Sequence, residues 1–173
     1  QTLRGFDPQS TAFILASQPF MVALFSPLVG RIIDKGSHRG LPILGLVLVT
    51  IGLGGLTLLD MYTSLFLPVL CLVMVGLGQA LFSSPTTRTF MASVESKIYG
   101  VASSLFSTVI YLGQTLSLAI LLIIFHVYLG EADIVPSNYL MFLAGLKTAF
   151  LLYAIISGSA ILFSIVTGVE ESI

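Results

Sequence analysis

Three glutamines, Gln18, Gln79 and Gln114, each sit inside a long apolar run of this chain, accompanied by Ser83, Ser84, Ser103, Ser107, Thr108, Tyr111 and Thr115. A carboxamide in an apolar medium is costly unless its donors and acceptor find partners. Two accounts are open. Either the glutamines line a water-filled or substrate cavity, or they bond from one helix to another. Their distribution over three separate runs favours a shared polar cavity, with Gln18, Gln79, Tyr111 and Gln114 as its candidate lining. A second group lies in the segment 26–39 and comprises Gly30, Arg31, Asp34, Lys35 and Arg39. Here the glycine lets two helix ends approach and the basic residues hold a loop at the cytoplasmic face. Asp34 can cap a helix N-terminus or pair with a neighbouring arginine.

Catalytic chemistry finds no foothold. None of the apolar runs contains Asp, Glu or Arg, and Lys147 lies near the start of the last run, where it can snorkel to the headgroups. His38 falls in a loop, and His126 near Tyr128 reads as an interfacial anchor. With no carboxylate or histidine placed within a span for an obvious relay, any titrating group for proton coupling is expected outside these residues. Cys71 is the only cysteine, which excludes a disulfide framework and a cysteine-based zinc site. There is no G-x-x-x-x-G-K-[ST] loop, no H-E-x-x-H and no G-x-S-x-G elbow. Gly76-Leu77-Gly78 lacks the strand-to-helix setting of a dinucleotide site. The chain therefore reads as a non-enzyme, with no catalytic residue, cofactor or metal expected.

The elements that must position these residues follow from composition. Of the 173 residues, 56% are hydrophobic and 9% charged, against about 25% charged in soluble domains. The mean hydropathy is +1.05. A soluble fold of this size cannot cover so much apolar surface. The net charge of −1 and the lack of a basic patch exclude nucleic acid as a partner. A membrane helix needs about 20 mostly apolar residues, and five stretches qualify: 10–30, 41–59, 64–85, 101–127 and 140–168. The runs are continuous, not alternating, which excludes a β-barrel. The fold class is all-α, a polytopic transmembrane helical bundle of five spans forming one transmembrane domain over 1–173, with the lipid bilayer as its solvent.

Pro19 and Pro27 interrupt the first span and Pro68 lies early in the third, each expected to bend its helix. Small residues recur four apart at Ser26/Gly30, Gly100/Ser104, Gly113/Ser117 and Ala154/Gly158. This spacing permits close helix approach, whether for sliding or for static packing.

Loop charge sets the orientation. The loop after the first span carries Arg31, Lys35 and Arg39, and that after the third carries Arg88 and Lys97. The loops after the second and fourth spans carry neither Lys nor Arg, whereas Arg4 and Lys147 fall on the opposite side. The chain is thus expected to begin outside and to end in the cytoplasm, in a cell membrane crossed several times.

The segment Ser26-Pro27-Leu28-Val29-Gly30-Arg31-Ile32-Ile33-Asp34-Lys35-Gly36-Ser37-His38-Arg39 resembles the cytoplasmic loop signature of the major facilitator superfamily, roughly G-x-x-x-D-[RK]-x-G-x-[RK]. Gly30, Asp34, Lys35 and Arg39 match, and Ser37 stands where that family usually has glycine. The stretch Gly76 to Pro85 is similar to the glycine-rich helix ending in Ser-Pro of its fourteen-span drug:proton antiporters. Gly100-Val101-Ala102-Ser103-Ser104 and Leu112-Gly113-Gln114-Thr115-Leu116-Ser117 are similar to the helix that follows, with Ser104 and Ser117 in place of glycines and Tyr111 where arginine is frequent.

The resemblance implies a chain that supplies the last five helices of a C-terminal half, in a fold of two six-helix halves built from inverted repeats. A missing N-terminal half would then be a partner, beside a small-molecule substrate. It further implies alternating access, with proton-coupled efflux of drugs or other small hydrophobic compounds. The first, third and fourth helices would line the cavity, the second and fifth would face lipid, and the loop after the first helix would serve the cytoplasmic gate. The chain starts at Gln1 and shows no signal peptide, so a fragment is expected. The rival reading is a non-transport scaffold or assembly subunit of five helices. A membrane-embedded enzyme would need clustered His, Asp or Glu, which the sequence lacks.

Overall fold

In lipid a backbone must satisfy its own hydrogen bonds, and a continuous apolar run does so as a helix. The computed structural model describes residues 8–34, 40–60, 63–130 and 138–170. It contains helices α1 (Pro8–Asp34), α2 (Gly40–Leu56), α3 (Phe66–Ala92), α4 (Tyr99–Leu129) and α5 (Tyr139–Glu170), with a 3-10 turn at Ser96–Ile98 leading into α4. No strand occurs among the described residues. Four of the helices are long and apolar enough to cross a membrane, and α2 is shorter. The chain is an all-α transmembrane bundle, built as a multi-pass membrane protein.

The helices outrun the apolar runs that announce them. α1 and α3 each have 27 residues and α5 has 32, so at 1.5 Å per residue they reach about 40–48 Å, past a hydrocarbon core of about 30 Å. α2 instead stops earlier than expected. At its end Thr57 and Leu58 donate to the carbonyl oxygens of Gly54 and Gly55, and the Thr57 hydroxyl also reaches the Gly54 oxygen at 2.6 Å. These three-residue bonds tighten the backbone and close the helix. Pro68 falls in the first turn of α3, where no backbone donor is required. Pro19, Pro27 and Pro85 all lie within continuous helices.

Contacts between helices fix their order as α1, α3, α2, α5, α4, with a lighter touch between α3 and α4. Gly45 and Gly78 set the tightest of these contacts. A Cβ on Gly78 would lie 2.5 Å from the Gly45 carbonyl oxygen, and one on Gly45 would lie 2.6 Å from that of Gly78. The α2 and α3 backbones therefore touch directly. Close approach does not fall on the glycines of three of the four-residue pairs: among the described residues Gly30, Gly100 and Gly113 have nothing within 4 Å of an added Cβ, whereas at Gly158 Thr50 Cγ2 lies 3.9 Å away.

Side-chain pairs give the helix directions. On α1 and α3 the contacts Gln18–Gln79, Ser26–Ser84 and Asp34–Arg88 occur in the same order along both, so these helices run parallel. On α2 and α5 the pairs Asp60–Lys147 and Thr50–Ser157 run in opposite order, as do Tyr128–Thr148 and Ser117–Tyr153 on α4 and α5. Those pairs are antiparallel, which is the alternation that successive crossings require. Few side chains are buried, and α4 buries only Ala102, while large apolar residues such as Phe13, Val101 and Val127 are exposed. Outside a bilayer or a further protein mass such a surface is unsustainable.

Candidate functional site

A Cβ on Gly76 would lie 2.6 Å from the Gln18 carbonyl oxygen, so α1 and α3 approach closely there. Gln79 is one helical turn further along α3, on the same face. The result is a cross-helix contact: Gln18 Nε2 donates to Gln79 Oε1 at 3.3 Å. Gln18 is half-buried and Gln79 exposed. Both lie near the middle of their helices, far from either end.

Below this pair the α1–α3 seam stays polar. The Ser26 and Ser84 hydroxyls share a hydrogen bond at 3.0 Å. At the helix ends the Arg88 guanidinium pairs with the Asp34 carboxylate. Gly30 is half-buried on the last turns of α1, and Arg31 is exposed. Lys35 and Arg39 lie outside the described residues. A second ion pair, Lys147 Nζ to Asp60 Oδ1 at 3.1 Å, joins α5 to the segment after α2 at the opposite end of the bundle.

Gln114 occupies a different place. It lines an open groove of about 520 Å³ with Ile110, Gly113, Ser117, Leu118 and Tyr153. The Tyr153 hydroxyl donates to the Ser117 carbonyl oxygen at 2.6 Å and so pins α5 to α4 along this groove. Tyr111 is exposed one turn earlier on α4. The structure thus joins Gln18 to Gln79 directly, and sets Gln114 and Tyr111 on a separate helix. Two residues here escape sequence reasoning. Arg88 stands in the sequence as one of several loop cations, and nothing in the sequence singles out Tyr153 within its apolar run.

The hydroxyls behave differently from the amides. Thr108 and Thr115 donate to the carbonyl oxygens of Ser104 and Tyr111 on their own helix, both at 2.8 Å. Such back-bonding satisfies them without a neighbour. Among the described residues no group of three or more His, Cys, Asp or Glu could hold a metal ion.

Known proteins similar to this chain are transporters. It is 28% identical over 109 residues to the riboflavin transporter RibZ of Clostridioides difficile, covering 63% of this chain and 24% of that protein. It is 33% identical over 122 residues to the multidrug resistance protein Stp of Mycobacterium tuberculosis, covering 70% of this chain and 22% of that protein. A tetracenomycin C resistance and export protein of Streptomyces glaucescens is 24% identical over 139 residues, covering 80% of this chain and 26% of that protein. No protein-family model matches the chain, and no solved structure matches it significantly. The chain spans about a quarter of the length of the curated relatives it matches, and those relatives carry small molecules across membranes or confer resistance to them.

Proposed function

We propose that this chain is the closing part of a secondary active transporter of the major facilitator type, which exports small hydrophobic compounds by alternating access coupled to protons. The observation that carries this reading is the Gln18–Gln79 contact, a pair of amides near mid-helix on two parallel helices whose apolar runs carry no charged residue. Lipid would penalise it, whereas a wet cavity would not. The five helices serve as the last five of a C-terminal half, in one transmembrane domain. The open space beside Gly30, Gly100 and Gly113 among the described residues suits a second helical half as partner. Gln18, Gln79, Tyr111 and Gln114 contribute to the cavity wall.

Asp34 works with Gly30, Arg31, Lys35 and Arg39 at the cytoplasmic gate, where its pairing with Arg88 would close one end of the α1–α3 seam. The C-terminus then lies in the cytoplasm and the protein in the cell membrane.

The test is flux of a lipophilic dye into proteoliposomes that hold the intact protein, with and without an imposed proton gradient. Dye movement that follows the gradient is expected. Absence of flux under every gradient overturns the reading and leaves a membrane scaffold in its place.

A further inference from the structure

Hydrogen-bonding capacity within the spans is unevenly spent. Ser17 and Thr86 donate to the carbonyl oxygens of Ile14 and Phe82 at 2.6 Å, as Thr108 and Thr115 do to their own helix. Ser26 and Ser84 satisfy each other. The glutamines do not close their account in this way. The bond from Gln18 Nε2 to Gln79 Oε1 uses one N–H and one lone pair. A pair of carboxamides carries four N–H groups and two carbonyl oxygens. Gln18 Oε1, the second Gln18 N–H and both Gln79 N–H groups therefore have no partner among the described residues. These groups, three N–H donors and one wholly free acceptor oxygen, belong to a single contact on which Gln79 is exposed.

Charge complements this. The charged residues described on α1 and α3 are Arg31, Asp34 and Arg88, all near the ends where the helices leave the apolar region. Nothing on this wall attracts a cation or anion at mid-span. What these groups can meet is a neutral planar group that offers a carbonyl beside an N–H, because such a group accepts from the spare N–H and donates to the spare oxygen.

From this the geometry points to a substrate class: Gln18 and Gln79 together form a recognition site for uncharged amide, lactam or imide edges on otherwise apolar molecules. This inference rests on the transport reading above and deepens it. Amide recognition is demanding because a ligand that lacks the N–H leaves the protein's oxygen unpaired.

The experiment uses a lipophilic 3,3-disubstituted glutarimide and its N-methyl derivative, with equilibrium binding measured on the intact purified protein in nanodiscs. The methyl group removes the donor and adds apolar surface, so partitioning alone favours the derivative. Binding of the parent imide about tenfold tighter than its N-methyl derivative is expected. The Gln18→Leu/Gln79→Leu variant should bind the two alike. Equal affinity in the unaltered protein, binding of neither compound, or a preference that survives in the double variant each overturns the assignment. The unaltered protein supplies the decisive comparison even where the variant fails to fold. Dye flux in proteoliposomes is measured in parallel: flux without imide preference sinks this inference alone, and preference without any flux sinks the transport reading.

Discussion

Asp34 and Arg88 stand 54 positions apart in the chain, and their side chains meet where α1 and α3 end on the same side of the bundle. The pair is solvent-exposed, with side-chain accessibilities of 65% and 51%. Exposed pairs contribute roughly 0–1 kcal/mol, so its place at the mouth of the α1–α3 seam matters more than its strength. Asp34→Asn and Arg88→Gln should each cost no more than about 1 kcal/mol of unfolding free energy while slowing turnover at unchanged substrate affinity. Exchanging the charges, Asp34→Arg with Arg88→Asp, should recover part of the rate. Thermal unfolding alongside binding and flux assays separates these effects, and a large loss of binding in either single variant would refute the gating role.

Gly78→Ala should destabilise the protein by about 1–3 kcal/mol, as overpacking does, because its Cβ would lie 2.5 Å from the Gly45 carbonyl oxygen and 2.9 Å from the Val49 backbone nitrogen, besides 2.8 Å from Val49 Cγ2. Gly54→Ala is the control. Nothing lies within 4 Å of a Cβ there, and alanine is the better helix former by about 1 kcal/mol. Unfolding in detergent should rank the two variants in opposite directions from the parent.

The Thr50 hydroxyl lies 2.8 Å from the Leu46 carbonyl oxygen and 2.9 Å from the Ser157 hydroxyl. This contact links α2 to α5 within the apolar region. A double-mutant cycle of Thr50→Val and Ser157→Ala should yield a coupling near 0.6 kcal/mol, the average for bonds between membrane helices. A coupling indistinguishable from zero would mean that the Leu46 carbonyl alone satisfies Thr50.

Gln114→Ala should change the order in which substrates are preferred, because Gln114 is exposed on the groove it shares with Tyr153. Competition of several compounds against one labelled dye measures this. An equal loss for every compound would remove Gln114 from the cavity wall.

The spans were legible because lipid demands long apolar runs, and each of the five runs corresponds to a helix. Their ends were less so. α3 passes through Pro85 and continues over Thr86-Thr87-Arg88 to Ala92, since polar residues at an interface remain helical once the helix is nucleated. Three-residue bonds from Thr57 and Leu58 to the Gly54 and Gly55 carbonyl oxygens close α2 early, a local effect that composition averages away. The pairing of the glutamines depended on Gly76, whose missing side chain lets α1 come close. In sequence that glycine resembled the others of its run. Tyr153 was hidden for another reason: its partner is the Ser117 backbone, and every residue offers a carbonyl oxygen.

The two ion pairs at opposite ends of the bundle, Asp34–Arg88 and Asp60–Lys147, each sum to zero charge. Moving one elementary charge through a membrane potential of 100 mV is worth about 2.3 kcal/mol. If the five helices rock as one body in the proposed cycle, neither pair moves net charge through that field. Any voltage dependence of such a cycle then reports on the cargo, on a coupled ion, or on charges other than these two pairs. It does not report on the pairs at the two ends of the bundle.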